Sequence, residues 1–195
     1  MRIFCEEILG TDCGVDEAGR GPWAGPVVAA AVILPKDFST EKIQDSKKLS
    51  NKVRDILFDE ITAKSDFGIG YGTALEIDKY NILEATFLAM RRAVANLQTL
   101  PYRVLIDGNH VPSGLPCLAE SIVKGDTKVA SIAAASIIAK VTRDRLMKDL
   151  AILYPGFGWE TNFGYGVKHH QEALKTLGVT PEHRRSFKPI HNMLC

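Results

Sequence analysis

Two rhythms of apolar residues run along the chain. Residues 26–34 (PVVAAAVIL) form an unbroken apolar run whose Val and Ile content, with Gly25-Pro26 at its start and Pro35 after it, predicts a buried strand. Residues 66–74 (DFGIGYGTA) alternate Phe67, Ile69, Tyr71 and Thr73 with small residues, the two-residue period of a half-buried strand. Between them, 51–65 (NKVRDILFDEITAKS) places Val53, Ile56, Leu57 and Ile61 on one helical stripe. A second helix is predicted over 76–97 (EIDKYNILEATFLAMRRAVANL), with Ile77, Leu83, Phe87, Met90 and Val94 at near-helical spacing. YRVLIDG at 102–108 ends a strand at Asp107, and ESIVKGD at 120–126 gives a short strand that stops at Asp126. A long helix follows over 127–155, rich enough in Ala and Ser for its neighbours to pack close. Strands alternating with helices in this way predict an α/β fold with a mixed central sheet.

Composition supports one packed unit. The 195 residues are 46% hydrophobic and 24% charged, enough for a proper core in a single domain spanning 1–195, with no repeat, low-complexity tract or linker. The opening MRIFCEEILG lacks the basic start and apolar region of a secretory signal, and no window holds the roughly 20 apolar residues of a membrane span, so a cytoplasmic protein without a membrane partner is expected. Cys5, Cys13, Cys117 and Cys195 are scattered without a C-x-x-C pair, which points to reduced thiols rather than zinc or disulfides. The net charge is only +1, but from Lys140 onward nine Lys/Arg face five Asp/Glu, which gives +4 and leaves −3 for the rest. That asymmetry suits phosphate contacts in the C-terminal part and acids collected in the N-terminal part.

Four acids share one kind of position. Asp16 and Glu17 stand at a strand's junction with a glycine-rich turn in GVDEAGRGPWAGPV, Asp107 ends an apolar strand, and Asp126 sits where a strand gives way to a helix. Strand ends in open α/β sheets are where ligand sites are built. Converging carboxylates repel unless a cation holds them, and an all-oxygen set favours a hard ion such as Mg²⁺ or Mn²⁺. Such a set implies two-metal phosphoryl transfer, with ions about 3.5–4 Å apart. Three of the acids also have an ordinary reading: Asp126 as a helix N-cap, Asp107 as a turn residue before Gly108, Glu17 as a surface partner of Arg20. Adjacent strand residues point to opposite faces, so Asp16 and Glu17 reach one centre only if the strand bulges or ends there. Asp144 lies 18 residues after Asp126, about 27 Å along a helix, and has Lys140 and Lys148 at i−4 and i+4, as a solvated ion-pair face would.

The segments GVDEAGRGPWAGPV, DSKKLS, EIDKYNI, LIDGNH, KGDTKVASIAAASIIAKVTRD, GYGVKHHQEAL and HRRSF, in that order from about Cys13 to Phe187, resemble bacterial ribonuclease HII, the type 2 ribonuclease H. The resemblance implies a ribonuclease H-like fold, with about 150–195 as a C-terminal helical part, and an endonuclease that cuts RNA paired with DNA. It places the family's metal acids on Asp16, Glu17, Asp107 and Asp126, and its 2′-hydroxyl-reading loop on Gly19, Arg20 and Gly21. The junction-sensing tyrosine falls on Tyr165, and phosphate contacts fall on Lys47, Ser136 and Lys140. The implied reaction is hydrolysis 5′ to a ribonucleotide, in RNA–DNA hybrids or in duplex DNA holding a single ribonucleotide, leaving a 3′-hydroxyl and a 5′-phosphate.

Backbone recognition of a 2′-hydroxyl makes physical sense at a glycine loop, since that group alone separates RNA from DNA and small residues let the backbone approach it. The type 3 relatives carry GTG where this chain has GRG, and Trp23 stands where the type 2 family commonly has a smaller or aliphatic residue. Another nuclease on the same fold, or a catalytically inactive hybrid-binding protein, are the alternatives. A monomer is expected, and His169 and His170 read as solvent or phosphate contacts rather than metal ligands.

Overall fold

The computed structural model describes residues 7–43 and 49–195, Lys42 by its backbone alone. Five strands form one mixed sheet: β1 (Asp12–Ala18), β2 (Val27–Ile33), β3 (Asp66–Gly72), β4 (Arg103–Asp107) and β5 (Leu118–Ile122), in spatial order β3-β2-β1-β4-β5. The β1–β2 and β2–β3 pairs are antiparallel, whereas β1–β4 and β4–β5 are parallel. Helices α1 (Asn51–Lys64) and α3 (Ala130–Leu153) pack on one face and α2 (Ala74–Ala95) on the other. Three short helices follow: α4 (Trp159–Asn162), α5 (Lys168–Leu177) and α6 (Lys188–Leu194).

The unbroken apolar run becomes β2, and all seven of its residues are buried because both faces are covered. Val27, Ala29, Ala31 and Ile33 meet Ile77, Ala85, Ala89 and Met90 of α2. Ala30 and Val32 meet Leu57 and Ile61 of α1 and Ala134 and Ile138 of α3. The small residues of α3 allow the close packing their composition predicts. At Gly14 an added Cβ would lie 2.1 Å from the Ser131 backbone, so β1 and α3 touch main chain to main chain.

Three local expectations change on folding. In β3 the alternation holds, but Gly68, Gly70 and Gly72 form the buried face while Phe67 and Ile69 are half-buried and Tyr71 is exposed, because α2 lies directly against the glycine side. On α1 only Leu57 and Ile61 are buried. Val53 and Ile56 are 41% and 57% exposed, since the helix meets its neighbours along one narrow edge. The predicted continuous α2 is broken at Asn81, whose φ is +72°. A capping box of Thr73 and Glu76 opens its first part, and Asn81 Oδ1 accepts from the N–H groups of Leu83 (2.9 Å) and Glu84 (3.1 Å) to open the second.

The start of α3 is capped from a distance. A 3₁₀ turn over Gly125–Thr127 leads into the helix, whose N-cap Val129 has no side chain able to serve. Glu7 serves instead, its carboxylate accepting from Ala130 N–H at 2.9 Å and Ser131 N–H at 3.1 Å. At the end of α3, Met147 and Leu150 build a further core with Phe157, Trp159, Ala173, Leu174, Ile190 and Ala24. Among the described residues Cys13, Cys117 and Cys195 are free thiols, and no helix is long and apolar enough to cross a membrane.

Candidate active site

The parallel strands end together. Val15 of β1 pairs with Ile106 of β4, so the next residues, Asp16 and Asp107, stand side by side, and Asp107 in turn pairs with Ile122 at the end of β5. The turn after β5 presents the Gly125 N–H to Asp107 Oδ1 at 2.6 Å and leaves Asp126 next in the chain, 2% exposed. The four acids therefore occupy one end of the sheet, at the carboxyl ends of β1 and β4 and in the turn after β5. The N-cap reading of Asp126 is not realised, because Glu7 holds the N–H groups of α3. Asp144 lies inside α3, with Lys140 Nζ 2.7 Å from its Oδ1.

No bulge is needed to bring Asp16 and Glu17 together. Pairing of β1 with β2 stays regular through Ala18↔Val28, and Asp16 shares with Gly14 the face under α3. Alternation assigns Glu17 to the opposite face, yet its side chain lines the cleft with Ser136 and Lys140 because the strand stops one residue later. Burial, then the neighbouring charges of Glu17 and Asp107, push the Asp16 carboxyl well above its usual range. The Glu17 N–H at 2.7 Å and a bond with Ser136 offset this in part. Burial also raises Glu17, against the pull of Arg20, whose Nη1 lies 3.3 Å from Glu17 Oε1.

This donor set suits a hard divalent cation. It is all oxygen, and it carries a like-charge cost that a cation removes. Among the described residues no three His, Cys, Asp or Glu side chains are gathered as a finished coordination shell. The acids are neighbours across a sheet end.

A cavity of about 350 Å³ opens beside them, lined by Glu17, Ala18, Gly19, Ser136, Lys140 and Tyr165, with Arg54, Ile137 and Arg143. Five residues singled out in the sequence thus share one cleft. Lys47 lies outside the described residues. Lys140 is held by its bond to Asp144 and sits 4.8 Å from the centre of the Phe163 ring. Arg54 also donates to Asn51 Oδ1 at 3.0 Å and to the Leu49 carbonyl at 2.9 Å.

The Gly19–Gly21 loop is fixed by two arginines that composition alone would place in solvent. Gly19 has φ +94°, and a side chain there would run into Arg143. Arg143, 1% exposed, donates to the carbonyls of Pro26 (3.0 Å), Phe163 (3.1 Å) and Ala24 (3.2 Å). Arg184, fully buried, donates to the carbonyls of Gly19 (2.5 Å), Arg20 (2.8 Å) and Gly25 (2.9 Å). Burial lowers the two guanidinium groups to about 10 and about 9, values at which both remain charged at neutral pH. Because peptide units are planar and trans, drawing the Gly19 and Arg20 carbonyls toward Arg184 turns the N–H groups of Arg20 and Gly21 the other way.

Tyr165 borders this loop. Its Cε1 lies 3.6 Å from where a Cβ on Gly21 would stand, and the residue is 47% exposed. Trp23 forms the backing: a Cβ on Gly166 would meet its ring at 2.2 Å, and its N–H donates to the Gly164 carbonyl at 2.8 Å. The larger residue at position 23 therefore fills space under the tyrosine turn.

His169 is exposed, as expected, but His170 is not a surface contact: it is fully buried among Trp159, Phe157 and His183. Sequence reading also missed Arg143, Arg184 and His183. One signal was present for Arg143, which falls at i+4 from Ala139 and i−4 from Met147, on the apolar stripe of its helix. Arg184 and His183 fall in the family-like segment HRRSF, but nothing in it assigned them a role, since the partners of Arg184 lie up to 165 residues away.

Fold and cleft together define an α/β enzyme of ribonuclease H-like architecture with an acidic sheet end. The family described as Ribonuclease HII matches residues 13–190 of the chain. A relative named Ribonuclease HII from Jannaschia sp. (strain CCS1) is 55% identical over 189 residues, covering 97% of this chain and 95% of its own. Another of that name from Roseobacter denitrificans is 55% identical over 181 residues, covering 93% and 91%. Among solved structures, the ribonuclease H2 from Pyrococcus horikoshii OT3 superposes with a TM-score of 0.81 at 28% identity, covering 94% of this chain and 96% of its own. The chain belongs to the ribonuclease HII family and is a type 2 ribonuclease H, an endoribonuclease.

Proposed function

We propose that this enzyme cuts the RNA strand of RNA–DNA hybrids, and duplex DNA holding a single ribonucleotide, on the 5′ side of the ribonucleotide, leaving a 3′-hydroxyl and a 5′-phosphate. The observation that carries this reading is the single cleft shared by Glu17, Gly19, Ser136, Lys140 and Tyr165 beside Asp16 and Asp107. Asp16 and Asp107, with Glu17 and Asp126 completing the set, would hold Mg²⁺ or Mn²⁺, which supplies an activated water and neutralises charge on the scissile phosphate. Ser136, beside the Asp16 carboxylate, favours its charged form. The Arg20 and Gly21 N–H groups, turned away from Arg184, donate to the 2′-hydroxyl, the group that separates RNA from DNA. Tyr165 packs its ring on the sugar that follows, where a deoxyribose fits and a second 2′-hydroxyl crowds the contact. Lys140, and Lys47 outside the described residues, contact phosphates. The chain works as a monomer in which the helices after residue 150 belong to the same catalytic unit.

The test is cleavage of two duplexes, one with a single ribonucleotide and one an all-RNA hybrid, each with Mg²⁺ and with Mn²⁺, with the product ends mapped. Tyr165→Ala lowers cleavage of the single-ribonucleotide duplex much more than that of the hybrid, with unchanged metal dependence. Equal losses would reduce Tyr165 to a structural anchor. Tight hybrid binding without any cleavage would leave only the inactive binding protein.

A further inference from the structure

Behind Tyr165 lies a line of hydrogen bonds whose direction the geometry determines completely. At one end the Thr180 N–H donates to His183 Nδ1 at 3.0 Å, with the Thr180 hydroxyl also on that nitrogen at 2.8 Å. A backbone N–H cannot accept, so His183 Nδ1 is unprotonated and the neutral ring carries its proton on Nε2. That Nε2 lies 3.0 Å from His170 Nε2, which must accept. The Trp159 indole N–H, a donor only, points at the same His170 Nε2 from 3.3 Å and demands the same state. His170 is left with its proton on Nδ1, 3.0 Å from the Tyr165 carbonyl, an acceptor only. Every link therefore has one donor side and one acceptor side. The chain runs from Thr180 through His183 and His170 to the peptide of Tyr165.

Among the described residues, the Tyr165 carbonyl is otherwise held only by the Val167 N–H at 2.9 Å, a bond across its own tight turn. The Trp23 N–H holds the neighbouring Gly164 carbonyl, and the relay adds a side-chain tie from the Tyr165 carbonyl itself to the C-terminal segment, where Ala24 pairs with His183 and Arg184 grips the Gly19 and Arg20 carbonyls. Loop and tyrosine are thus referenced to the same two consecutive residues, His183 and Arg184.

We propose that His170 is a positioning residue for substrate discrimination: with His183 it forms a proton-ordered relay that holds the Tyr165 turn, and with it the ring, in register with the Gly19–Gly21 loop. This rests on the reading of Tyr165 as the group that senses the sugar after the ribonucleotide. His170 touches no substrate. It acts through the tyrosine, so its loss shows in the choice between substrates more than in the chemistry.

Substitutions can separate positioning from packing, because Asn places an amide nitrogen near the Nδ1 position of His and Gln places one near Nε2. His170→Asn keeps a donor toward the Tyr165 carbonyl and His170→Gln does not. The ratio of single-ribonucleotide to all-RNA cleavage is expected to fall by about tenfold in His170→Gln, the scale of one lost hydrogen bond, in the same direction as in Tyr165→Ala, and to stay within about twofold of the parent in His170→Asn. Long-range ¹H–¹⁵N spectra of the unaltered protein at neutral pH provide a readout that needs no variant: His170 shows the Nδ1–H tautomer and His183 the Nε2–H tautomer. An Nε2–H or doubly protonated His170 overturns the relay. So does a ratio that Tyr165→Ala shifts and His170→Gln leaves alone, or an equal loss in the Gln and Asn variants, which would mark His170 as packing only. A ratio that Tyr165→Ala itself leaves unchanged would instead overturn the reading of the tyrosine, and the relay's role with it.

Discussion

Asp16 on one wall of the cleft is buried nearly as fully as the polar groups of the other, and the two walls are satisfied to very different degrees. At the strand ends Asp16 is 6% exposed with Glu17 and Asp107 beside it, and the cost is visible in a carboxyl held well above its usual range. On the opposite wall Arg143, Arg184, His170 and His183 are all at 1% exposure or less, yet each guanidinium nitrogen reaches a carbonyl and each imidazole nitrogen has a partner of the right kind. Burial alone therefore does not decide whether a polar group stabilises the fold; its partners do. The acidic wall stores unfavourable energy that a bound cation would release. The loop wall is a finished hydrogen-bonded scaffold.

The largest effects fall on the acidic wall. Asp107→Asn keeps the shape, including an acceptor for the Gly125 N–H, but removes the charge, and cleavage at saturating Mg²⁺ is expected to fall by at least about 10²–10³-fold, the range for losing one preorganised electrostatic group. Asp126→Asn behaves alike. A single-turnover assay with circular dichroism as the fold control decides both, and retained activity would remove the residue concerned from the site.

Asp16→Asn sharpens the contrast through stability. With its carboxyl raised, folded Asp16 keeps a proton that the unfolded chain releases near the ordinary value of 3.8, so the parent loses stability as pH rises through the raised folded value. Asn has no such loss. Without divalent ions the variant melts higher than the parent at pH 8, by roughly 2–4 °C per kcal/mol relieved, and the gap narrows at pH 5. Added Mg²⁺ raises the melting temperature of the parent and not of the variant. A variant that melts lower at both pH values would show that Asp16 carries no electrostatic strain.

The opposite sign applies on the loop wall. Burial, then His170, lower His183 to about 4 from 6.5, so the unfolded chain takes up this proton first as pH falls. Its contribution is complete above about pH 6.5 and is lost between there and pH 4. Urea midpoints measured across that window fall more steeply for the parent than for His183→Gln, which does not titrate; parallel curves would contradict the buried neutral state.

The smallest effect is expected at Asp144. Its bond to Lys140 is one i, i+4 pair, worth about 0.2–0.5 kcal/mol, and it stands apart from the strand ends. Asp144→Asn should keep cleavage within a few-fold of the parent; a collapse like that of Asp107→Asn would exchange the roles of Asp126 and Asp144.

Much of the acidic wall was legible because its signals are local. An apolar run that stops at a carboxylate beside glycine marks a strand end whatever lies elsewhere in the chain, as VLIDG does at Asp107; Asp126 follows Gly125 at the step from strand to helix, and Asp16 stands just before the glycine-rich turn. The mixed sheet follows from the alternation of short apolar runs with helical stripes. Even the break in α2 has a local spelling, Asn81 followed three residues on by Glu84, which near-helical spacing on both sides concealed. Local pattern could not say which side of β3 faces inward, since glycine and aromatic positions alternate equally well and only the approach of α2 chooses between them.

The loop wall belongs to tertiary structure. Arg184 meets Gly19 across 165 residues, Arg143 meets Pro26 across 117, and Glu7 caps α3 across 123. Nothing in the spacing of a charged residue tells whether its partners are water or carbonyls that folding delivers from the far end of the chain. Thus the sequence by itself determined the strands, the helices and the carboxylates at their ends, because those depend on periods of two and 3.6 residues and on what breaks them. Only the tertiary structure decided which cations and imidazoles would be buried and satisfied, because a buried polar group persists only where long-range packing supplies every partner at once.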